Sequence, residues 1–294
     1  MRYNIVHETA YTYESTVSVG HYIARLAPRR LLAQECPWHE MIINPKPGER
    51  IVREDSFGNT VTYFEIAALH QKLTVTARSL VEMRQFAAID PLRTRPWESV
   101  RDEFPCDHLD GTSAAQEFIF ASPLVKPSAM FAEFAAPSFT ANRPVLDAVC
   151  DLNHHIYAEF DFDPTATDAA TPVEEAFRQR RGVCQDFAQI MIACLRSIGL
   201  PARYVSGYLE TLPPPGKEKL VGADASHAWV SVWCGKDAGW VDVDPTNDLL
   251  PSSRHITIAW GRDFSDVSPL RGISLGTGKQ QLRVSVDVRP DRAQ

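Results

Sequence analysis

Apolar and polar positions alternate along the first part of the chain, which is the pattern of strands that bury one face. The odd-numbered positions of the segment 3–13 carry three tyrosines and an isoleucine, and His7 lies on the same face. Shorter runs of this kind follow at 40–44, 60–66 and 73–81. The pattern predicts an antiparallel β-sandwich over residues 1–85. We interpret His7 as a hydrogen-bonded structural residue of its inner face.

Prolines divide the middle of the chain, residues 86–142, into short helices and loops. Helices are expected at 113–121 and 128–135, and six prolines separate the segments around them. No residue in this region has a context that indicates chemistry. We therefore interpret it as a connecting layer of helices and loops.

Helical periodicity is strongest in the last part of the chain, residues 143–294. A first helix is expected at 144–160, and a second contains apolar residues at every third or fourth position from Phe187 to Ile198. The segment 202–210 has the composition of a strand. The whole chain is therefore expected to belong to the α+β class.

A thiol opens the second of these helices. Cys184 follows Gly182 and precedes Phe187 by one turn, so it is expected in the first turn of the helix. At a helix start the unpaired backbone N–H groups and the helix dipole stabilise a thiolate, the form of cysteine that attacks carbonyl carbons. Cys184 is therefore a candidate nucleophile, although a buried thiol is also a common core residue.

Two strand-like runs on either side of a polar turn indicate a hairpin further along the chain. If Trp233 opposes Trp240, then His227 stands diagonal to Asp244 on one face of the hairpin. Asp242 shares that face but lies further from the histidine. The spacing therefore favours Asp244 as the carboxylate that orients His227.

These three residues form a set that can carry out acyl transfer. His227 would take the proton of Cys184, Asp244 would hold the imidazole, and the thiolate would attack a carboxamide to give a thioester. The acyl group would then pass to water or to an amine. Trp229, two residues after the histidine, is a candidate wall of the substrate cleft and equally a candidate core residue.

Charge and cysteine usage narrow the class of protein. The net charge of −7, without clustered lysine and arginine, argues against a nucleic-acid partner. No apolar run approaches the length of a membrane span, so we expect a cytoplasmic protein without a membrane partner. The six cysteines are scattered without a CxxC pair, which is typical of free thiols in a reducing compartment. We expect neither a metal nor a cofactor.

Three segments of the chain resemble the motifs of the bacterial transglutaminase-like superfamily, whose core is similar to that of papain-like cysteine proteases. The segments are Gly182-Val183-Cys184-Gln185-Asp186-Phe187-Ala188, Ser226-His227-Ala228-Trp229 and Trp240-Val241-Asp242-Val243-Asp244-Pro245-Thr246. Two N-terminal segments, 3–9 and 55–59, and the segment 261–272 resemble the β-rich N-terminal domain and the closing segment of bacterial members. The resemblance covers nearly the whole chain.

The resemblance implies a cysteine helix packed on an antiparallel sheet within residues 143–294, with Cys184, His227 and Asp244 as the catalytic residues. Members of the superfamily include cross-linking enzymes, peptidases, amidases and inactive relatives, so the fold does not fix the reaction. We expect peptidase-like or amidase-like hydrolysis of a peptide, protein or small amide. An amine-incorporating protein-glutamine gamma-glutamyltransferase and a non-catalytic peptide-binding module are the alternatives.

Overall fold

The computed structural model describes residues 1–85, 88–104, 113–211, 224, 226–276 and 278–291, so Cys106 lies outside the described residues. The described chain is rich in β-sheet and carries several helices, which confirms the α+β class. The strands are β1 (Arg2–Val17), β2 (Val19–Ala24), β3 (Gln34–Asn44), β4 (Glu49–Glu54), β5 (Thr60–Ile66), β6 (His70–Met83), β7 (Asp161–Phe162), β8 (Arg181–Gly182), β9 (Ala202–Leu209), β10 (Ser226–Trp233), β11 (Trp240–Val243), β12 (His255–Gly261), β13 (Leu270–Leu275) and β14 (Gln280–Pro290). The α-helices are α1 (Trp97–Arg101), α2 (Ser113–Gln116), α3 (Ala129–Ala135), α4 (Val145–Glu159), α5 (Val173–Gln179), α6 (Cys184–Ser197) and α7 (Phe264–Val267).

The N-terminal strands belong to two antiparallel sheets. One has the strand order β14-β1-β6-β3 and the other the order β13-β2-β5-β4. Tyr13 and Leu73 from the first sheet pack with Tyr22 and Phe64 from the second in one buried cluster. The two sheets thus share a core, which explains the alternation along the N-terminal sequence. The sandwich classification of residues 1–85 stays a prediction.

The last two strands of the chain complete these N-terminal sheets. Strand β14 pairs with β1, placing Val284 opposite Thr9, and β13 pairs with β2. Both strands fall within residues 143–294 in the predicted division of the chain, because pairing between the two ends of a chain leaves no local signal in the sequence. The division of the chain into three parts stays a prediction.

A third sheet, with the strand order β11-β10-β9-β12, carries helix α6 on one face. The apolar face of α6, including Phe187 and Ile190, packs against Val230 and Val232 of β10. Because this face of α6 is buried, apolar residues recur at every third or fourth position of the helix, which is the pattern that predicts it. In the hairpin of β10 and β11, Trp233 pairs with Trp240, which confirms the predicted register.

The first sheet also packs against the third, and this contact places N-terminal residues beside the cysteine helix. Tyr3 and Ile5 of β1 share a buried cluster with Tyr208 of β9 and Ile256 of β12. Among the helices of the described residues, none is long and apolar enough to cross a membrane. The cytoplasmic location stays a prediction.

Candidate active site

Helix α6 begins at Cys184, and Asp186 in its first turn fixes the backbone that leads into it. Oδ2 of Asp186 accepts hydrogen bonds from the backbone N–H of Val183 at 2.8 Å and from the hydroxyl of Thr167 at 2.6 Å. Burial raises the pKa of Asp186, while these hydrogen bonds act in the opposite direction. Asp186 therefore caps the helix that carries the thiol.

Gly182 makes this cap sterically possible. A Cβ atom at position 182 would lie 2.5 Å from Oδ2 of Asp186, closer than real contacts allow. The glycine two residues before the cysteine is thus explained by the room that the capping carboxylate needs. The glycine and the aspartate of the Gly-Val-Cys-Gln-Asp sequence therefore act together at the start of the helix.

His227 lies between the thiol and a buried carboxylate. Its Nε2 atom is 2.7 Å from Oδ2 of Asp244, which leaves Nδ1 for the hydrogen bond with Cys184. Burial by itself lowers the pKa of His227, but the hydrogen bonds with Asp244 and Cys184 outweigh it and raise the pKa above the ordinary value. The imidazolium form is therefore favoured beside the thiol.

Asp244 is fully buried and accepts hydrogen bonds on both of its oxygens. Besides His227, Oδ2 receives Nε2 of His255 at 3.0 Å and the amide N–H of Asn247 at 2.8 Å, and Oδ1 receives the backbone N–H of Thr246 at 3.0 Å. Burial tends to raise the pKa of Asp244, but the hydrogen bonds from the two histidines and Asn247 hold it well below its usual range. The carboxylate is thus ionised at neutral pH.

The hydrogen bonds of His255 define its proton position. Its Nδ1 accepts the backbone N–H of Ser252 at 3.4 Å, so the proton of the neutral ring lies on Nε2 and is donated to Asp244. Ligand atoms of His227, Asp244 and His255 lie within 4.8 Å of one another, a spacing that could also hold a metal ion. The hydrogen bonds with Asp244 already engage the Nε2 atoms of both histidines.

Trp229 lies in the core beside His227 and His255, and Asp242 next to it is half-buried. Trp229 is fully buried, its indole N–H donates to Oδ2 of Asp242 at 2.9 Å, and its ring meets that of His255 edge-on at 5.3 Å. This placement agrees with the core alternative for Trp229. Asp242 is engaged by the tryptophan, whereas Asp244 contacts His227, as the hairpin register predicts.

A cavity of about 410 Å³ lies over Cys184 and His227. Its other walls come from β1 and β14 of the first sheet and from the segment around α7. His7 is among the lining residues. It is buried, and hydrogen bonds join its Nδ1 atom to the hydroxyl of Tyr208 and its Nε2 atom to the hydroxyl of Thr9, both at 2.9 Å. Burial lowers the pKa of His7 to about 4. His7 is hydrogen-bonded, as predicted, and neutral at physiological pH.

His255, Asn247 and the wall from β1 and β14 are not among the features predicted from the sequence. His255 stands in an alternating run, 255–261, that could have been recognised as a strand, but nothing local indicates that this strand lies beside β9. Asn247 follows the Asp-Pro-Thr sequence directly. Its position three residues after Asp244, in the same turn, is the signal in the sequence that indicates a contact with the carboxylate.

Two family models and several known proteins match this chain. The model of the transglutaminase-like superfamily matches residues 133–245, and that of the bacterial transglutaminase-like N-terminal region matches residues 3–82. An uncharacterised protein of Mycobacterium tuberculosis is 40% identical over 298 residues, covering 98% of this chain and 93% of that protein. A protein-glutamine gamma-glutamyltransferase of Pseudomonas aeruginosa is 39% identical over 101 residues, which are 34% of this chain and 15% of that protein.

Among solved structures, a protein of Cytophaga hutchinsonii described as a proposed cysteine protease superposes with a TM-score of 0.75 at 22% identity. The match covers 100% of this chain and 92% of that one. At this identity the similarity concerns the fold. It extends to the N-terminal sheets as well as to the sheet that carries the histidines.

Proposed function

This chain belongs to the transglutaminase-like superfamily, and on that premise we propose that it is a thiol enzyme that cleaves amide or isopeptide bonds by acyl transfer. We interpret helix α6 on the third sheet as a papain-like core, with Cys184 as the nucleophile, His227 as the acid–base and Asp244 as its orienting carboxylate. The acyl group passes to water in the leading hypothesis, which makes the protein a peptidase-like or amidase-like hydrolase.

The reaction follows from the positions of these groups. The sulfur of Cys184 forms a bond to the carbonyl carbon, and the backbone N–H of Cys184 at the helix start stabilises the oxyanion. His227 in its imidazolium form then donates a proton to the leaving nitrogen as the C–N bond breaks, giving a thioester and a free amine. Water, deprotonated by the now neutral His227, releases the acid and regenerates the thiol.

The continuous hydrogen-bonded line from the thiol through His227 to the buried Asp244 is the observation that carries this proposal. A buried ion pair of this kind has a desolvation cost, and here four further donors satisfy the carboxylate. Such an arrangement fixes the imidazole in one orientation. A non-catalytic peptide-binding module has no requirement for it.

Amine incorporation is the second candidate, because the Pseudomonas relative of similar sequence is a protein-glutamine gamma-glutamyltransferase. It shares the thioester and differs only in the acceptor. The animal cross-linking enzymes of the superfamily depend on calcium, and the acidic loop of Asp161, Asp163 and Asp168 lacks the ordered spacing of a calcium loop. This difference favours hydrolysis or a calcium-independent transferase.

Incubation with dimethylated casein and dansylated cadaverine tests both candidates and the binding module. Hydrolysis predicts new peptide termini or released ammonia without fluorescence on the casein, and amine incorporation predicts fluorescent casein. Both products should disappear in Cys184→Ala, while Cys36→Ala, which changes another half-buried thiol, should keep them. Casein and small chromogenic amides that are bound without any turnover would instead favour the binding module.

A further inference from the structure

One wall of the active-site cavity is formed by β1, at the beginning of the sequence, and by β14, near its end. On β1 the side chains at positions 5, 7, 9 and 11 share one face, because alternate residues of a strand point the same way. Ile5, which precedes the other three on this face, packs against the third sheet. Tyr13, which follows them, belongs to the core shared by the two N-terminal sheets. His7, Thr9 and Tyr11 lie between these two cores and line the cavity.

Strand β14 extends the same wall. Val284 is paired with Thr9 and Leu282 with Tyr11, so the four side chains form two adjacent cross-strand pairs. Leu282 is 53% exposed and Val284 is 46% exposed, although both are aliphatic. Phe162 of β7, which also lines the cavity, is 59% exposed. Three apolar side chains that line the cavity are thus largely exposed to solvent.

The cavity has no formal charge among its described lining residues other than that of the catalytic pair. The described side chains that line it include no aspartate, glutamate, lysine or arginine, and His7 is held neutral by burial. Away from the catalytic pair, a charged substrate group placed here would lose its hydration without gaining an ion-pair partner from the described lining residues. An apolar group would instead cover the aliphatic and aromatic side chains that are now exposed to water.

We infer that this wall selects the substrate, and that the group next to the scissile carbonyl is uncharged and apolar, an aliphatic or aromatic side chain. The inference rests on the proposed function for the type of reaction. The preference for apolar groups depends only on the residues that line the cavity. Strands β1 and β14 then serve as a specificity surface that the two ends of the chain supply to the cysteine helix. The cavity of about 410 Å³ is within the size range of small-molecule sites.

Alkylation of Cys184 tests this inference without requiring turnover. Three chloroacetamides with phenylethyl, carboxyethyl and aminoethyl substituents on nitrogen react in the same way, as the thiolate sulfur displaces chloride from the CH₂ carbon. The rate at Cys184, measured by peptide mass spectrometry and divided by the rate with N-acetylcysteine, reports recognition by the cavity. We expect this ratio to be at least about tenfold higher for the phenylethyl probe than for either charged probe.

A charge placed in the wall should reverse the preference. In Val284→Lys the carboxyethyl probe should gain and the phenylethyl probe should lose, each by about tenfold. Val6→Lys is the matched control, since Val6 is 38% exposed and lies on the opposite face of β1. It should behave like the unmodified protein, and both exposed sites tolerate a lysine without disturbing the core.

Equal relative rates for the three probes, or the same response in Val284→Lys and Val6→Lys, would overturn the inference. These outcomes differ from failure of the proposed function. Selective labelling in a protein that forms no acyl-enzyme with any amide or ester would support the specificity surface and remove the hydrolase. Turnover of charged and apolar amides at equal rates would support the hydrolase and contradict the specificity surface.

Discussion

His227 and His255 contact the same oxygen of Asp244, at 2.7 and 3.0 Å respectively. The two imidazoles have different surroundings. His227 continues to the thiol, whereas His255 accepts a backbone N–H on its other nitrogen and is buried among β9, β12 and Trp229. We regard His255 as a positioning residue, which holds the carboxylate that in turn holds His227.

Replacing His255 should therefore slow the chemical step more than it weakens substrate binding. His255→Leu removes a hydrogen bond to a buried charge, and we expect kcat to fall about 10–100-fold with KM little changed, because His255 is not among the described residues lining the cavity. His255→Gln, whose amide can still donate to Asp244, should recover part of the loss. Steady-state kinetics on a chromogenic amide would measure both, and an equal loss in the two variants would count against positioning.

Asp244→Asn should change the pH dependence of catalysis as well as its rate. The carboxylate raises the pKa of His227, so its removal lowers that pKa, and the imidazolium needed by the leaving group is lost at a lower pH. The alkaline limb of the kcat/KM profile should move to lower pH, with a rate loss of about 10²–10⁴-fold. Asp242→Asn, which alters the partner of Trp229, is the control whose alkaline limb should stay in place.

Gly182→Ala should disturb the start of the cysteine helix. The new Cβ would displace Asp186 from the backbone N–H of Val183, and loss of such a cap costs about 1 kcal/mol of unfolding free energy. Urea denaturation would measure this loss, and the rate of Cys184 alkylation by iodoacetamide should fall with it. Gly48→Ala is a suitable control because no atom lies within 4 Å of its added Cβ. Similar behaviour of the two variants would contradict the capping role.

His7 should make the fold sensitive to acid. Its folded-state pKa of about 4 lies below the ordinary value of 6.5, so the unfolded chain binds the proton more readily between these values. Stability is therefore fully retained above pH 6.5 and is lost as the pH falls towards 4, by roughly 3 kcal/mol in total.

The measurement is the free energy of unfolding in urea at pH 7 and at pH 4. His7→Gln is expected to be less stable at pH 7, because the hydrogen bonds to Tyr208 and Thr9 are altered, but it should lose less stability on acidification. His21→Gln, at an exposed histidine, should keep the acid dependence of the unmodified protein. An unchanged pH dependence in His7→Gln would show that another group is responsible.

Local patterns in the sequence were sufficient to predict the helix of Cys184 and the hairpin of His227. Both depend on contacts between near neighbours: the spacing of apolar residues in α6, and the pairing of Trp233 with Trp240 across a short turn. One known pair fixes which residues of two paired strands share a face. The pairing of Trp233 with Trp240 therefore places Asp244 on the same face of the hairpin as His227.

The rest of the site depends on contacts between distant segments. His255 reaches Asp244 because β12 pairs with β9 and not with β11, the strand that precedes it in the sequence. The wall of Thr9 and Val284 exists because the two ends of the chain pair in one sheet. Neither arrangement leaves a periodic signal, since any strand with the same alternation could occupy either place.

The most direct test of the account is the detection of an acyl group on Cys184. The unmodified protein, mixed with the p-nitrophenyl ester of carbobenzoxy-phenylalanine, should show one added acyl mass on the peptide that contains Cys184, and this mass should disappear with time as water hydrolyses the thioester. Cys184→Ala should remain unmodified, and His227→Ala should acylate much more slowly. Acylation confined to another thiol, or an equal rate in His227→Ala, would contradict the proposed triad.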